Sequence, residues 1–564
     1  MTFAKSRVFV LGLDGATFSL IRPWAQAGYL PSFQRLLANG TSAILNSTFP
    51  PKTASAWLSL ATGLNPGQHG VFDFINYDVR SYTFFEKQMV KGGPRAQGRT
   101  LWDVVGQQGG KVAAIGVPMT YPVWPVNGVM IGENVLVDIE QQAYPLDRAK
   151  SWAEGYLSLP SFYRLMRTAP DRFAEESLLL AERRLQILQE VLSQDLFQFV
   201  MIVLDEPDRS QHCYWKHMGD KTSSLQDTIL KHYRVCDTAL ALLLEHMDEN
   251  TSLFIVSDHG GGAAPGKYVN FNVALQQAGL LRRHQTTASV SPDRFVKSLV
   301  CCLREAVYQR FSHHEIMRLK GMLPRRVKNF FTDVSQNTNL IDWPQTSAYR
   351  FEMHPPSEGV MVNLRERQSA GAVRPEDYAR VRQDVVAALK DLTDPQTGKR
   401  IIREIRLREE AYWGEHIQDA PDIVMLLADG YRGGNGLDEL ISEVPETTLD
   451  FWNGEHRMEG VFLAYGDKIR PGTNLPPLSP ESLAPSALYA AGLAASPSMR
   501  GQVVNNAFSS SYLTTAPLSA LPPPKELVLH PSEQVMERAP MTSSLSSQEE
   551  QALVERLRGL GYLE

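Results

Sequence analysis

The chain has 564 residues, of which 43% are hydrophobic and 21% are charged. This length is sufficient for a large buried core and for roughly two to four domains. The formal net charge of -6 argues against nucleic-acid binding as a general function, because such proteins usually carry a basic surface. The four cysteines form no CxxC pair, so neither a disulfide framework nor a cysteine zinc site is expected. Residues 1–7 contain no apolar leader and no segment has the length of a membrane span, which predicts a cytoplasmic location.

The first predicted element is a buried strand that ends in an acid. Residues 8–13 form an apolar run, and Asp14 follows it directly. Beyond it, short apolar runs such as residues 111–117 alternate with helical patterns such as residues 175–193. This alternation is typical of a parallel sheet with helices on both faces. We therefore predict an α/β core whose first part covers residues 1–264.

The next informative segment, residues 49–63, predicts a helix that begins near Thr53. Pro50 and Pro51 do not allow a helix before them, and Gly63 is a typical residue at a helix end. The Thr53 hydroxyl then has two interpretations. Either it caps the helix by accepting a backbone N–H, or it is a nucleophile at the positive end of the helix, where a phosphate binds and a metal activates the hydroxyl.

Two later strands also run into acids and imidazoles. Residues 197–204 and 253–256 are apolar runs, and the carboxyl ends of parallel strands meet at one edge of an α/β sheet. Asp and His are natural ligands for Zn²⁺ and similar divalent ions. The polar residues that follow the two strands are Asp205, Glu206, Asp208 and His212 after the first, and Asp258 and His259 after the second.

The spacing of these residues predicts metal pockets at this edge. Asp208 and His212 lie four positions apart and can meet on one turn of a helix. Asp258 and His259 are neighbours, so their side chains diverge and serve different ions, or one ion and its surroundings. Taken singly, each residue has an ordinary structural interpretation, such as a helix cap or a surface histidine. Together with Asp14 they predict two metal pockets.

Residues 265–341 differ in character and predict an inserted, mainly helical cap. Between residues 281 and 330 there are eleven Lys or Arg and three acids, in a chain that is acidic as a whole. Apolar residues recur there at four-residue spacing, which predicts an amphipathic helix. They are Phe295, Leu299, Leu303, Val307 and Phe311. Three interpretations stay open: a helix docked on the core, a lid over an anionic substrate, and a contact with a membrane surface.

Two late apolar runs predict that the core sheet resumes after this insertion. They are residues 422–427 and 461–465, and they assign residues 342–508 to the second part of the core. Between them, a glycine-flanked loop carries His456, so a distant part of the chain can supply a last metal ligand. This signal is weak by itself.

The end of the chain is predicted to be a linker followed by a helix. Residues 509–545 are rich in Ser, Thr and Pro, which is typical of a linker or an extended strap. Ser547 and Glu550 form a capping box ahead of apolar residues at helical spacing. Residues 546–564 are therefore predicted to form a short helix.

Taken together, these motifs resemble the alkaline phosphatase superfamily, specifically its type I phosphodiesterase/nucleotide pyrophosphatase branch and related bacterial phosphohydrolases. The resemblance covers residues 8 to about 465 and depends on the order of the motifs, which is more specific than any one of them. In chain order, these motifs are Asp14, Lys52-Thr53 with Thr62-Gly63 and His69-Gly70, Glu206-Pro207-Asp208 with His212, Asp258-His259-Gly260, and Gly454-Glu455-His456.

The resemblance implies a fold and a metal centre. The fold is a mixed, mostly parallel, alkaline phosphatase-like sheet flanked by helices, with the inserted cap. Two divalent ions are implied, commonly zinc, and Mn²⁺ suits the same ligands. By position, one ion would be held by Asp208, His212 and His456, and the other by Asp14, Thr53, Asp258 and His259. Lys52 and Trp57, near Thr53, are candidate substrate contacts.

The implied activity is hydrolysis of phosphoric esters, either monoesters or diesters. Thr53 would attack phosphorus and form a phosphothreonine intermediate, which a metal-activated water would then hydrolyse. The expected partner is a small phosphoester, with no nucleic acid, and the oligomeric state is open. Two alternatives stay open: phosphoryl transfer to an alcohol by a mutase or transferase, and a non-catalytic protein that binds a membrane surface or a partner.

Overall fold

The computed structural model describes residues 6–74, 79, 80, 82, 90, 92–132, 141–156, 165, 166, 168–194, 197–284, 337–450 and 452–521. The amphipathic helix around Leu303 and the C-terminal helix of residues 546–564 lie outside these residues and stay predictions. None of the helices described is both long and apolar enough to cross a membrane.

Strands and helices alternate through the described part of the chain, as the sequence predicts for an α/β protein. The strands there are β1 (Arg7–Leu13), β2 (Thr41–Asn46), β3 (Val112–Ile115), β4 (Gly128–Ile131), β5 (Ala143–Tyr144), β6 (Phe199–Leu204), β7 (Thr251–Val256), β8 (Gly260–Ala263), β9 (Lys267–Val269), β10 (Ala348–Phe351), β11 (Ser357–Val362), β12 (Ile402–Leu407), β13 (Ile423–Leu427), β14 (Tyr431–Gly433), β15 (Ile441–Glu443), β16 (Gly454–Arg457), β17 (Glu459–Tyr465) and β18 (Thr473–Asn474). The α-helices there are α1 (Phe18–Gln26), α2 (Pro31–Asn39), α3 (Thr53–Thr62), α4 (Pro66–His69), α5 (Gly93–Ala96), α6 (Leu101–Gln107), α7 (Leu146–Tyr156), α8 (Pro170–Gln194), α9 (Glu206–Tyr214), α10 (Thr228–Glu245), α11 (Phe271–Gln277), α12 (Tyr378–Leu389), α13 (Arg408–Ala411), α14 (Glu446–Leu449), α15 (Leu483–Ala490) and α16 (Ser510–Thr515).

One mixed sheet forms the centre of the fold, in the strand order β18-β2-β17-β7-β1-β6-β3-β4-β5. The strands from β7 to β4 all run parallel, whereas β17 and β5 are antiparallel to their neighbours. β1 is buried from Val8 to Leu13, as expected for a strand that is covered on both faces. On one face, Phe9 and Leu11 share a core with buried residues of α1, α2, α8 and α10. The predicted mixed, mostly parallel sheet flanked by helices is confirmed.

The strand ends that carry the candidate ligands lie side by side. β7, β1 and β6 are neighbours, and Leu13 at the end of β1 pairs with Leu204 at the end of β6. On the other side, Gly12 pairs with Val256, the last residue of β7. The prediction that three acid-bearing strand ends meet at one edge of the sheet is therefore confirmed.

The described residues divide into two compact units. The first contains the central sheet and takes residues from within 1–74, 89–264 and 450–564. The second takes residues from within 75–88 and 265–449. Its longer segment begins at residue 265, where the insertion is predicted to begin, and extends to residue 449, beyond the predicted end at residue 341.

The second unit extends further because it has sheets of its own. β10, β11, β13 and β12 form an antiparallel four-stranded sheet, and β14, β9 and β15 form a three-stranded sheet. The prediction that residues 422–427 return to the central sheet is therefore wrong, since β13 pairs with β11 and β12. A run of buried apolar residues fits either sheet, and the pattern does not say which partner strands are available. Residues 461–465 do return to the central sheet, as part of β17.

The first part of the predicted linker is folded. Ser509 caps α16 by accepting a hydrogen bond from Tyr512 N at 3.3 Å. The Tyr512 hydroxyl donates to Tyr489 O at 2.9 Å, and the Tyr489 hydroxyl donates to Ala516 O at 2.7 Å. These bonds join α16 to α15, an arrangement that the Ser- and Thr-rich composition does not indicate.

Candidate active site

Asp14 leaves β1 inside the protein, and a tryptophan holds its carboxylate. Asp14 Oδ2 accepts a hydrogen bond from Trp57 Nε1 at 2.9 Å, and Oδ1 lies 3.4 Å from His259 Nε2. Gly12 permits this arrangement, since a Cβ there would lie 2.4 Å from the Trp57 ring. Because Trp57 is fully buried and bonded to Asp14, its position does not support the predicted contact with substrate.

Thr53 is the first residue of α3 and faces the imidazole that follows β7. The capping position belongs to Lys52, whose side chain makes no capping hydrogen bond, and the helix ends at Gly63 with a left-handed φ of 65°. Thr53 Oγ1 lies 3.3 Å from His259 Nε2. The hydroxyl therefore lies beside the candidate ligands, at a helix end where backbone N–H groups favour an anion.

α9 begins directly after β6 and carries two of the candidate ligands. Asp208 Oδ1 lies 3.1 Å from His212 Nε2 and 3.5 Å from His456 Nε2. Asp208 N donates to Asp14 O at 2.9 Å, which joins the helix to the end of β1. This close approach requires Gly15, which has a φ of 67° and where a Cβ would lie 2.8 Å from Asp208 Cβ.

His456 comes from β16, which pairs antiparallel with β8 so that His456 lies opposite Gly261. Its Nε2 lies 3.1 Å from His212 Nε2. Its ring stacks on that of His259, with 3.6 Å between the ring centroids. The structure thus brings this late part of the chain to the other candidate ligands.

All three imidazoles direct the same ring nitrogen into the site. Each Nδ1 lies 2.8–3.0 Å from a backbone carbonyl oxygen, namely Gly454 O for His212, Pro51 O for His456 and Gly260 O for His259. A carbonyl oxygen only accepts, so each Nδ1 carries a hydrogen and each Nε2 has a lone pair to offer a metal ion. The two Nε2 atoms that face each other at 3.1 Å repel unless a cation or a proton lies between them.

Two buried carboxylates complete the site. Asp258 Oδ1 accepts a hydrogen bond from Gly15 N at 3.1 Å, and Oδ2 lies 3.2 Å from His259 Nε2. Burial and the charge of neighbouring carboxylates raise the pKa of Asp258 and of Asp14 well above the usual range. A divalent cation would offset both causes, so these residues fit a metal ion.

The electrostatic environments of His212 and His259 differ. Although burial opposes it, the carboxylate of Asp208 raises the pKa of His212. Burial, and then the charge of His456, lower the pKa of His259 well below its usual value. The Asp208 carboxylate therefore favours a positive charge at His212, which a proton or a bound cation can supply.

Two overlapping groups consist only of predicted ligands, and in each of them all ligand atoms lie within 4.8 Å of one another. The groups are Asp208, His212 and His456, and Asp14, Asp208 and His259. The first group is the set that the sequence assigns to one ion. The second group differs from the set assigned to the other ion, because it contains Asp208 and lacks Thr53 and Asp258. Thr53 and Asp258 nevertheless lie next to this group, since both contact His259.

Lys52, the other candidate substrate contact, is buried next to Thr53. Its Nζ lies 3.6 Å from Asp73 Oδ1. Asp73 also accepts a hydrogen bond from Phe74 N at 2.6 Å. Asp73 is one of the neighbours of the site that the sequence does not reveal, because a single acid in a loop gives no pattern.

Three other residues around the site were not found from the sequence. The Trp452 ring stacks on His212 with 3.8 Å between centroids. Arg184 and Arg209 contact Asp205 at the start of α9. Trp452 lies close in sequence to His456, but Arg184 lies far from the motif that it contacts and has no local signal.

Comparison with known proteins agrees with this geometry. Residues 8–439 match the family described as type I phosphodiesterase/nucleotide pyrophosphatase. The chain belongs to this family. The resemblance that the sequence motifs indicate is therefore confirmed, and the description of the family names enzymes that cleave phosphoric esters.

The family relatives are remote and longer. Venom phosphodiesterase 2 of Crotalus adamanteus is 23% identical over 46% of this chain and 27% of its own length. Ectonucleotide pyrophosphatase/phosphodiesterase family member 1 of Mus musculus is 25% identical over 58% of this chain and 32% of its own length. The matches thus span about a third or less of these relatives. A solved structure of murine ectonucleotide pyrophosphatase/phosphodiesterase 5 with AMP has a TM-score of 0.44 and 13% identity, covering 90% of this chain and all of that one.

Proposed function

We propose that this chain is a metal-dependent hydrolase of phosphoric esters with Thr53 as its nucleophile. The observation that carries the proposal is the arrangement of three Nε2 lone pairs and three buried carboxylates beside the Thr53 hydroxyl. A structural cluster of acids and imidazoles has no need of a hydroxyl at the start of a helix. A phosphoryl-transfer site needs all of these groups.

The proposed ligands follow the two groups described above. Asp208, His212 and His456 would hold one ion, and Asp14, Thr53, Asp258 and His259 would hold the other, and Asp208 belongs to both groups of ligand atoms. When bound, the ions supply Lewis-acid activation of the phosphoryl group and of the oxygens that attack it and leave it. Imidazole and carboxylate ligands suit Zn²⁺, which we propose as the ion, with Mn²⁺ as the alternative.

The residues of the chain then carry the two steps. Backbone N–H groups at the start of α3 orient a phosphoryl oxygen. Thr53 Oγ1 loses its proton and forms a bond to phosphorus. The bond from phosphorus to the alcohol oxygen breaks, and the alcohol leaves with that oxygen, which takes up a proton. Water then attacks phosphorus, breaks the bond to Thr53 Oγ1 and restores the hydroxyl with the release of phosphate or a phosphomonoester.

The test combines metal content with turnover of two model esters. The metal bound to the purified chain is measured, and release of p-nitrophenol from p-nitrophenyl phosphate and bis-p-nitrophenyl phosphate is followed before and after chelation. About two ions per chain and chelator-sensitive release support the proposal, and the ratio of the two rates gives the preference for monoesters or diesters. A metal-free protein, or release that a chelator does not affect, would contradict it. Two ions without release would favour the mutase or transferase alternative.

A further inference from the structure

The segment from the end of β6 into the first turn of α9 contains three carboxylates within four residues, Asp205, Glu206 and Asp208. Each is chemically able to bind a divalent ion. In the described structure, Asp208 faces the histidines, with its Oδ1 3.1 Å from His212 Nε2. Asp205 and Glu206 face arginines instead. Some contact must therefore keep two of these carboxylates away from the metal and leave Asp208 as its ligand.

Arg184 contacts both of the carboxylates that are not selected. It lies on α8, and its side chain is only 1% exposed. Its Nη1 donates to Glu206 Oε1 at 2.6 Å and also contacts Asp205 Oδ1. Arg209, one helical turn after Asp205, contacts the other oxygen of Asp205. Arg184 and Arg209 thus balance the charges of Asp205 and Glu206. Asp208 contacts the histidines instead.

We propose that Arg184 is a positioning residue that selects the metal ligand of this turn. By neutralising Glu206 and sharing Asp205 with Arg209, it keeps both from competing with Asp208 for the ion. This inference rests on the proposed function, because it requires a metal at Asp208. A buried carboxylate that loses its arginine would be attracted to the other cations nearby, which here are Arg209 and a metal ion held by Asp208.

The test is the affinity of the full chain for Zn²⁺, measured by competition with a chelating dye. Arg184→Met should weaken the binding of at least one ion by about 10-fold or more, the usual effect of losing a residue that supports a metal ligand. Adding Glu206→Gln to this variant removes the competing charge and should restore the affinity to within about threefold of wild type. With Co²⁺ in place of Zn²⁺, the visible absorption band should change in the single variant and return in the double variant.

Arg172→Met is the matched control, because Arg172 lies on the same helix, is exposed and pairs with Glu176. It should leave the affinity unchanged. A folded Arg184→Met protein with wild-type affinity would overturn the inference, as would a double variant that stays as weak as the single one, since Arg184 would then act through packing alone. If the single variant does not fold, the double variant decides in the same way, and its failure to fold would also overturn the inference. Lack of binding of both Zn²⁺ and Mn²⁺ by the wild type would overturn the proposed function and this inference with it.

Discussion

Buried charges occur in both units of this protein, and they are balanced differently. In the second unit, Arg350 donates to both oxygens of Glu358, at 2.9 and 2.8 Å, and both side chains are almost fully buried. In the first unit, Asp14 and Asp258 contact an indole N–H, a backbone N–H and the ring nitrogen of His259. Arg350 balances the charge of Glu358, whereas we propose that a metal ion balances the charge of Asp14 and Asp258.

A second example supports this distinction. Asp422 in the second unit accepts hydrogen bonds from Arg367 at 2.8 Å and from the Tyr378 hydroxyl at 2.6 Å, and Arg408 lies 3.3 Å away. Such a carboxylate has a complete set of partners, which is typical of a structural role. Perturbed, uncompensated carboxylates beside a hydroxyl are typical of a functional site.

Thr53→Ala should give the largest effect, a loss of turnover that would identify the cluster of the first unit as a functional site. This change removes the nucleophile, and we expect kcat/KM for a p-nitrophenyl ester to fall by about 10⁴-fold. Metal content and the unfolding transition should stay close to wild type. Thr53→Ser is the matched control, since it keeps a hydroxyl at the first position of α3, and it should retain measurable turnover. Unchanged hydrolysis by Thr53→Ala would show that another group attacks phosphorus.

A pair of variants should affect the stability of the metal-free protein differently. Arg350→Met leaves Glu358 buried without its arginine and should lower the free energy of unfolding by about 3–5 kcal/mol. Asp258→Asn removes a buried charge without such a partner and should leave that free energy equal or higher. The pKa of Asp258 is raised in the folded state, so its contribution to stability is lost as pH rises, and the ionised form disfavours folding at neutral pH.

Urea unfolding in the presence of a chelator measures both effects. With Zn²⁺ added, Asp258→Asn should lose bound metal and therefore the stabilisation that the ion gives the wild type. The double variant Arg350→Met with Glu358→Leu should recover most of the stability lost in Arg350→Met. Equal destabilisation by Arg350→Met and Asp258→Asn in the metal-free protein would end the distinction between the two kinds of cluster.

The pH dependence of metal binding should show a smaller effect. Asp208 raises the pKa of His212 above its ordinary value of 6.5, so a proton competes with the metal already above that pH. Affinity for Zn²⁺ should therefore be highest in the alkaline range and should fall as pH decreases through the pKa of His212, by about tenfold per pH unit for each proton displaced. Titration with Zn²⁺ at a series of pH values measures this slope, and a flat profile between about pH 8 and pH 6 would mean that His212 is not a ligand.

A site residue can be predicted when the residues next to it in the sequence form a recognisable pattern. Asp14 and Asp258 were found because an acid follows a buried apolar run, directly for Asp14 and one residue later for Asp258. The parallel sheet then brings the strand ends together. His456 has no such pattern and was placed through the family order of motifs. Arg184 was missed because its partners lie on another helix, and β13 was assigned to the wrong sheet because an apolar run does not identify its neighbours.

The smallest predicted effect concerns Trp57, for which the sequence and the structure suggest different roles. Trp57→Phe removes the indole N–H that donates to Asp14 Oδ2 but keeps an aromatic ring in the buried space beside Gly12. Loss of one hydrogen bond to a charged acceptor corresponds to about 1.5–3 kcal/mol at most, and repositioning of Asp14 should appear as weaker metal binding and a lower kcat. A residue that contacts substrate would instead change KM while kcat and metal affinity stay constant. Steady-state kinetics on a p-nitrophenyl ester, measured together with Zn²⁺ affinity, therefore separate the two roles, and a change confined to KM would return Trp57 to the substrate contact that the sequence suggests.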